Sequence, residues 1–223
     1  MLKSQKGEAE KVMNIQTEQE KFWIGNFGNE YIERNQGGVE NNISLFTRIL
    51  TKTVNVNSII ELGANIGLNL VAIHQLRPNV HLAAVEINDH AICKLKENTY
   101  INVIYHESIL NLKLQLQTSY DFSFTKGVLI HIAPERLNDA YEVLYKSSNK
   151  YILIAEYYNP SPIEVKYRGN EGKLFKRDFA GEFMNKYTDC QLVDYGFVYH
   201  RDPVFPLDDV TWFLMKKGND CKK

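Results

Sequence analysis

Residues 58–76 combine an apolar stretch, a glycine-bearing turn and a segment with helical spacing, and this combination limits the possible folds of the chain. Residues 58–67 read SIIELGANIG, in which an apolar strand, Ser58–Leu62, leads into a turn that contains Gly63 and Gly67. The segment that follows, LNLVAIHQL, has apolar residues at helical spacing. A strand, a turn and a helix in this order begin a crossover unit, which joins parallel strands. The sequence therefore predicts a parallel sheet.

The same alternation continues along the chain. Further strands are predicted in HLAAVEIN, INVIYHES, YDFSFTKGVLIH and YILIAEYY, and helices over 40–56, over 89–98 and in APERLNDAYEVLYKSS. A helix near 178–187 and two closing strands, about 191–199 and 209–216, complete the pattern. Strands separated by helices predict an α/β fold with helices on both faces of the sheet. With 223 residues the chain has the size of one domain.

Composition narrows the range of partners. Lys plus Arg number 26 and Asp plus Glu 27, so the chain has no overall field that would draw it to nucleic acid or to an anionic membrane. We expect neither partner, and the oligomeric state is left open. Cys93, Cys190 and Cys221 have no CxxC spacing, and no histidines cluster with carboxylates, so neither a disulfide framework nor a metal site is predicted. No secretion signal or spanning helix is evident, and the expected location is the cytoplasm.

The glycine turn is a candidate ligand site. At the carboxyl edge of a parallel sheet, backbone amides and a helix N-terminus converge, and glycines let a ligand approach the backbone. The spacing of Gly63 and Gly67 is GxxxG, with Asn65 between them, and differs from the GxGxxG fingerprint of dinucleotide sites. Glu86 ends the second strand, roughly 20 residues after the turn, where an acidic side chain accepts hydrogen bonds from a ribose. The alternative is a tight turn followed by a solvated strand end.

These segments resemble the class I S-adenosylmethionine-dependent methyltransferases. ELGANIG is similar to the E/D-x-G-x-G-x-G loop of that family with Asn65 in place of the middle glycine, VEIN to its acidic second strand, and YDFSFTKGVLIHI to its fourth-strand segment. The resemblance covers about residues 40–160 and implies a single-domain, Rossmann-like mixed sheet of seven strands, the last of them antiparallel. More narrowly, FWIGNFGNEYIERN and GKLFKRDFAGEF resemble methylases associated with pseudaminic acid biosynthesis, a bacterial surface-sugar pathway.

The resemblance also implies how the chain is divided and which cofactor it binds. Residues 1–39 would form an N-terminal extension and lid, and residues 40–223 the methyltransferase domain, with a substrate-side insertion at about 160–187. The cofactor would be S-adenosyl-L-methionine, which leaves as S-adenosyl-L-homocysteine. Its methionine part is expected over the glycine turn, its ribose on Glu86 and its adenine beside Ile87.

The implied cofactor residues are Trp23, Tyr31, Arg34, Gly63, Ala64, Asn65, Gly67, Leu68, Asn69, Glu86, Ile87, Ser108, Ile109, Lys126, Gly127 and Leu129. Ser108 stands where the family often has an acidic residue, so the adenine contact there would come from a backbone amide or from the hydroxyl. Arg34 is expected to pair with the cofactor's carboxylate, and the aromatic faces of the lid suit a sulfonium through cation–π attraction. The alternative for these rings is ordinary core packing.

His131, after the fourth strand, is the candidate catalytic residue. Methyl transfer is an in-line displacement in which the protein aligns the nucleophile and excludes water, and a base is needed only when the acceptor must lose a proton. A histidine at the crevice can take that proton near neutral pH. The alternative is a histidine that hydrogen-bonds the lid or caps the next helix.

Substrate residues are expected at the rim and in the insertion. Tyr157, Tyr158 and Asn159 end the fifth strand and can orient a polar small molecule, although Asn159 and Pro160 also suit a simple turn. Between positions 166 and 177 the chain has five basic residues and one acidic residue. Such a run is often a solvated face, but its arginines also match a phosphate or a carboxylate. The expected substrate-binding residues are Tyr157, Tyr158, Asn159, Tyr167, Arg168, Lys173 and Arg177.

The leading prediction is therefore S-adenosylmethionine-dependent transfer of a methyl group to an oxygen or nitrogen of a small anionic acceptor. A sugar, a nucleotide-sugar or a phosphorylated or phosphoramidate-bearing intermediate of surface-glycan synthesis would fit. The alternative from another class is a non-catalytic module that binds S-adenosylmethionine within a biosynthetic complex. An NAD-dependent oxidoreductase is disfavoured by the GxxxG spacing.

Overall fold

The computed structural model describes residues 16–111 and 119–218 of the chain. Its strands, in chain order, are β1 (Ser58–Leu62), β2 (His81–Glu86), β3 (Ile101–His106), β4 (Tyr120–Lys126), β5 (Ser148–Glu156), β6 (Ile163–Glu164), β7 (Phe175–Lys176), β8 (Cys190–Val198) and β9 (Val210–Lys217). Seven of them form one sheet in the order β3-β2-β1-β4-β5-β9-β8, and β6 and β7 pair separately. The predicted seven-stranded sheet is confirmed.

The sheet is mixed, as predicted. β1 pairs in parallel with β2 and β4, and β5 is parallel to β4. β9 is antiparallel to both β5 and β8. Because β8 therefore runs in the same direction as β5, the loop that follows β8 leaves at the same edge as the carboxyl ends of the parallel strands.

Seven helices accompany the strands in the described chain. They are α1 (Glu18–Ile24), α2 (Asn26–Arg34), α3 (Val39–Leu50), α4 (Leu68–Leu76), α5 (Asp89–Lys96), α6 (Leu137–Lys146) and α7 (Phe179–Lys186). Two short 3-10 helices, Leu129–His131 and Pro134–Arg136, lie between β4 and α6. No helix of the described segments has the length and apolarity needed to cross a membrane.

The apolar core lies on both faces of the sheet. Neighbouring residues of a strand point to opposite faces, and in β1 Ile59 belongs to a core that includes Phe46 of α3, whereas Ile60 belongs to one that includes Phe183 of α7. α3, α4 and α5 pack on the first face, and α6 and α7 on the second. This arrangement confirms the prediction of helices on both sides.

Three predicted helices are shorter than their patterns indicated, and one of them, predicted in APERLNDAYEVLYKSS, spans only Leu137–Lys146. The helix expected over 40–56 ends at Leu50, because Thr53 turns back and donates its backbone N–H to the Leu50 carbonyl at 3.1 Å. The helix expected over 89–98 ends at Lys96. The last helix and the two closing strands lie within one residue of their predicted bounds.

Some predictions fall on residues that the structure does not describe. Residues 1–15 of the expected N-terminal extension, residues 112–118 and Cys221 lie outside the described segments. The described part of the extension forms α1 and α2, and α1 begins with a capping box in which Thr17 and Glu20 bond each other's backbone N–H groups.

Candidate active site

The carboxyl ends of β1, β2, β4 and β5 face a cleft made of two neighbouring cavities. The first cavity has a volume of about 140 Å³ and the second about 830 Å³. Both are lined by Tyr31, Gly63, Asn65, Lys126, Gly127 and His131. Because these residues belong to both, the two cavities are adjacent, and they lie at the sheet edge where ligands of open parallel sheets bind.

The glycine turn between β1 and α4 depends on left-handed backbone conformations. Gly63 has a φ of 80°, Asn65 of 48° and Gly67 of 85°. After glycine, asparagine is among the residues that adopt this region most readily. Asn65 therefore adopts a left-handed conformation that a glycine could also adopt at this position, and its backbone N–H donates to Glu86 at 2.7 Å.

We expect Asn65→Gly to change the free energy of unfolding by less than about 0.5 kcal/mol and Asn65→Ala to lower it by about 1 kcal/mol. Both variants lose the same side-chain amide, but only glycine adopts the left-handed conformation without a steric cost. Urea unfolding followed by circular dichroism measures both changes. If both variants lost the same free energy of unfolding, a backbone origin of the effect would be contradicted.

Four buried side-chain oxygens beside the glycine turn have no hydrogen-bond partner among the described residues. They are Oε2 of Glu61 and the Oδ1 atoms of Asn42, Asn65 and Asn69. Asn69 donates its amide to the other Glu61 oxygen at 2.6 Å, and all three asparagines line the second cavity. Unpaired buried acceptors are costly, so this cluster suits a ligand group with several N–H donors and a positive charge. An ammonium group has both properties.

Glu61 is fully buried at the carboxyl end of β1. Burial raises the pKa of this carboxyl group to about 8, although the Asn69 amide and the charge of Lys126 favour its ionised form. At neutral pH the group is therefore mostly protonated in the free protein. A cation bound against it would favour ionisation.

Glu86 ends β2 and lines the first cavity. Its carboxylate accepts three backbone N–H bonds, from Asn65 at 2.7 Å and from Ile87 and Asn88 at 2.8 Å. Burial raises the pKa of Glu86, and these N–H donors oppose that rise. A carboxylate has about four lone-pair sites, so Glu86 keeps capacity for a ligand hydroxyl.

The two N-terminal helices are anchored to the sheet and to the 160–187 segment. Asn88, which caps α5, donates its amide to the Trp23 carbonyl and to Asn29 Oδ1, both at 2.9 Å. Gln19 donates its amide to the Gly172 carbonyl at 3.0 Å. α1 is thus anchored on both sides of the first cavity.

The aromatic residues of this N-terminal segment combine packing and cavity lining. The Trp23 ring lies 4.6 Å from the His131 ring and 5.2 Å from the Tyr31 ring. Trp23 and Tyr31 line the first cavity, whereas Phe22 stacks on Phe27 at 4.0 Å. Phe22 and Phe27 therefore pack on each other, whereas contact of Trp23 and Tyr31 with a sulfonium stays a prediction.

His131 lines both cavities at the end of a short 3-10 helix. The Glu156 carboxylate supports that helix by accepting the N–H groups of Val128 and Leu129 at 3.1 Å. Nδ1 of His131 lies 2.6 Å from the Lys173 carbonyl. Because a carbonyl can only accept, Nδ1 carries the proton and Nε2 has a free lone pair. Burial lowers the pKa of His131 to about 4, so the ring is neutral at physiological pH.

The second cavity is lined by residues from three parts of the chain. Tyr157, Tyr167 and Arg168 were predicted, and Lys176 lies beside them. The loop after β8 adds a further wall of His200, Pro206, Leu207, Asp208 and Asp209. Nδ1 of His200 lies 2.9 Å from the Asp209 carboxylate.

Arg168 occupies a strained position in this cavity wall. Tyr167 and Asn170 exchange backbone hydrogen bonds of 2.8 and 2.9 Å around Arg168 and Gly169, whose φ values are 47° and 87°. Two left-handed residues in a two-residue turn define a type I′ hairpin, which favours asparagine, aspartate or glycine rather than arginine at the first position.

The predicted site residues divide into those that line the cleft and those that do not. The first cavity is lined by Trp23, Tyr31, Gly63, Asn65, Glu86, Ile87, Ser108, Ile109, Lys126, Gly127 and His131, and the second also by Ala64, Leu68, Asn69, Tyr157, Tyr167 and Arg168. Seven predicted residues are outside the linings of both cavities, namely Arg34, Gly67, Leu129, Tyr158, Asn159, Lys173 and Arg177.

Most of these seven have other contacts. Arg34 lies 3.4 Å from Glu30, and Arg177 lies 3.4 Å from Glu182. Asn159 donates its amide to the Ser161 carbonyl at 2.5 Å, as in a simple turn. Lys173 reaches the site through its backbone carbonyl rather than through its ammonium group.

Several residues in or beside the cleft were not expected from the sequence, and three cases show why. Glu61 had a signal, because it is the acidic position of the E/D-x-G-x-G-x-G resemblance. Glu20 and the loop containing Asp208 and Asp209 had none, because tertiary packing alone brings them to the cleft.

No family model matches this chain, and no curated protein matches it in sequence. Solved structures match it in fold. The 1,6-didemethyltoxoflavin-N1-methyltransferase of Burkholderia thailandensis, with 1,6-didemethyltoxoflavin and S-adenosylhomocysteine bound, is 10% identical, with 90% of this chain and 87% of that chain covered and a TM-score of 0.64.

Two further solved structures show the same likeness. The magnesium protoporphyrin IX methyltransferase of Synechocystis PCC 6803, with S-adenosylhomocysteine bound, is 11% identical over 89% of this chain and 98% of that chain, with a TM-score of 0.66. A SAM-dependent methyltransferase of Leishmania major is 13% identical over 89% of this chain and 80% of that chain, also with a TM-score of 0.66. The chain therefore has the Rossmann-like fold of the class I methyltransferases.

Proposed function

We propose that this chain transfers a methyl group from S-adenosylmethionine to an oxygen or nitrogen of a small anionic acceptor. The observation that carries the proposal is the set of unpartnered oxygens of Glu61 and three asparagines, which suits a cationic, donor-rich ligand group beside the glycine turn. Glu86 lines the adjacent first cavity and can accept from hydroxyl groups.

The cleft residues fit the parts of S-adenosylmethionine. The free oxygens of Glu61, Asn42 and Asn69 suit its ammonium group, Glu86 suits its ribose hydroxyls, and the apolar side chains of Ile87 and Ile109 suit its base. When bound, this cofactor supplies a methyl group on a positively charged sulfur.

The protein's own contribution is to hold, orient and dehydrate the reacting groups. The neutral His131 ring, fixed by the Lys173 carbonyl, has an Nε2 lone pair that can accept a hydrogen bond from the hydroxyl or amine of the acceptor, although its pKa of about 4 makes it a weaker base than an ordinary histidine. The anchored N-terminal helices, with Trp23 packed on His131, would exclude water from this position. We therefore propose that α1 and α2 form the lid and that the 160–187 segment is the substrate-side insertion.

An acceptor with both an anionic group and hydroxyl or amino groups fits the second cavity. Lys126, Arg168 and Lys176 can bind a phosphate or a carboxylate, and Asp208 and Asp209 can accept from hydroxyl or amino groups. A charged sugar of surface-glycan synthesis is the narrower form of the proposal, supported by the resemblance of two segments to pseudaminic-acid methylases. A cytoplasmic location stays a prediction from the sequence.

Isothermal titration calorimetry and product analysis test the function together. We expect the protein to bind S-adenosylmethionine and S-adenosylhomocysteine and to transfer a methyl group to one member of a pool of nucleotide-sugars and sugar phosphates, detected by mass spectrometry. Binding of both compounds without transfer to any member would favour the non-catalytic module. Binding of NAD in place of either compound would contradict the proposal.

Arg168→Asn is expected to weaken acceptor binding without destabilising the fold. The KM for the acceptor should rise about tenfold, because a charged hydrogen bond is lost. The free energy of unfolding should stay equal or rise by up to about 1 kcal/mol, because asparagine suits the left-handed turn better. Steady-state kinetics and urea unfolding measure the two effects.

Lys166→Ala is the matched control for Arg168→Asn. Lys166 lies in the same segment, has an exposed side chain and is 3.9 Å from Glu171. We expect the KM of this control to equal that of the wild type. A rise in KM shared by both variants would indicate a general charge effect and contradict a specific role of Arg168.

A further inference from the structure

Glu20 is a charged residue of α1 that is buried, with 7% of its surface exposed. One carboxylate oxygen accepts the Thr17 N–H at 2.6 Å, and Thr17 Oγ1 accepts the Glu20 N–H at 3.1 Å. This capping box accounts for one oxygen. The other oxygen accepts the hydroxyl hydrogen of Ser108, which follows β3.

Glu20 also lines the first cavity, beside Ile87, Ser108 and Ile109. Ser108 Oγ donates to Glu20 and accepts the Leu110 N–H at 3.1 Å, so its hydroxyl hydrogen is already used inside the protein. Each carboxylate oxygen of Glu20 has a second lone pair and can still accept from a ligand. This part of the cavity therefore offers apolar walls and a buried anionic acceptor.

The position of this acceptor relative to Glu86 indicates what it would bind. Ile87 directly follows Glu86 and lines the same cavity as Glu20, so a base attached to a ribose at Glu86 would share this cavity with the Glu20 carboxylate. A purine with an exocyclic amino group presents N–H donors to a carboxylate, whereas a purine with an oxo group at that position presents an acceptor, which a carboxylate repels.

We propose that Glu20 binds the exocyclic amino group of the cofactor's adenine, so that the lid helix itself determines which purine is accepted. This inference rests on the proposed function. It makes base selection dependent on the docked position of α1, which Asn88 and Gln19 hold through the Trp23 and Gly172 carbonyls.

Glu20→Gln tests the inference because glutamine also forms a capping box, so α1 keeps its N-terminal cap. The change replaces a pure acceptor with a group that both donates and accepts. We expect the wild type to bind S-adenosylhomocysteine about 30-fold more tightly than S-inosylhomocysteine, in which a 6-oxo group replaces the amino group, and E20Q to reduce this ratio to about threefold or less. Isothermal titration calorimetry gives all four dissociation constants.

Glu18→Gln is the matched control, since it makes the same charge change on the same helix at an exposed residue that pairs with Lys21 at 2.8 Å. In Glu18→Gln, the ratio of the dissociation constants for S-inosylhomocysteine and S-adenosylhomocysteine should equal that of the wild type. An unchanged ratio in E20Q would overturn the inference and leave the proposed function intact, whereas a wild type that binds neither compound would overturn both. Should circular dichroism show E20Q unfolded, Glu20→Asp replaces it, and the shorter side chain is expected to lower the ratio as well.

Discussion

Glu61→Gln is expected to weaken S-adenosylhomocysteine binding about 10- to 100-fold and to remove most of the proton release that accompanies binding. Burial raises the pKa of Glu61 to about 8 in the free protein, so the group holds a proton at pH 7. The ligand's ammonium favours the ionised carboxylate, and binding must therefore release about one proton. Calorimetry in buffers of different ionisation enthalpy measures this number.

The sign of the pH dependence follows from the same group. Between about pH 6 and 7.5, a higher pH lowers the cost of ionising Glu61, so wild-type affinity should rise with pH. The stability of the free protein should change in the opposite direction. Between the ordinary value of 4.5 and about 8, only the unfolded chain ionises this carboxyl group, and stability falls as the pH rises. Both slopes should be smaller in Glu61→Gln.

Glu40→Gln provides the control, because Glu40 is exposed in the first turn of α3 and the change in charge is the same. This variant should keep the wild-type proton release and affinity. If Glu61→Gln still released protons at the wild-type level, the released proton would come from another group. Glu86, whose pKa burial also raises and which lines the first cavity, would then be the next candidate.

The fold was predictable because apolar strand patterns and helical patterns alternate along the chain. In β1, Ile59 and Ile60 pack on opposite faces of the sheet, which requires the continuous apolar run that identifies a buried parallel strand. The same signal cannot locate helix ends. α3 stops at Leu50 although Val54 and Val56 extend the apolar pattern, because the turn at Thr53 redirects the backbone.

The lining of the cleft was predictable where its residues directly follow a strand. Gly63, Asn65 and Glu86 belong to this class, since the sheet itself brings the ends of β1 and β2 to one edge. Glu20 and Asp208 lie at the cleft because segments that are distant in sequence pack together. Local sequence patterns do not predict such tertiary contacts. The basic segment between positions 166 and 177 was predicted as a whole, but its arginines differ. Arg168 lines the second cavity, whereas Arg177 lies 3.4 Å from Glu182 and outside both cavities.

Gly63→Ala is expected to lower the free energy of unfolding by about 2–4 kcal/mol and to abolish measurable cofactor binding. Gly63 has a φ of 80°, and a Cβ there would lie 2.6 Å from Val128 Cγ2. The backbone has little freedom to move away, because the Gly63 N–H donates to the Val85 carbonyl at 2.9 Å. Urea unfolding and calorimetry with S-adenosylhomocysteine measure the two losses.

Two further variants separate backbone strain from the steric clash. Gly127→Ala has the same left-handed requirement, with a φ of 68° and no atom within 4 Å of a new Cβ, and should cost only about 1–2 kcal/mol. Adding Val128→Ala to Gly63→Ala removes the clashing methyl groups, so the double variant should be about 1–2 kcal/mol more stable than the sum of the single changes predicts. If the changes in the free energy of unfolding were strictly additive, the steric clash would be contradicted, and backbone strain would account for the whole destabilisation by Gly63→Ala. Because Val128 begins the turn that Glu156 holds beneath His131, a favourable coupling would also show that the glycine turn and the turn bearing the proposed base are packed as one unit.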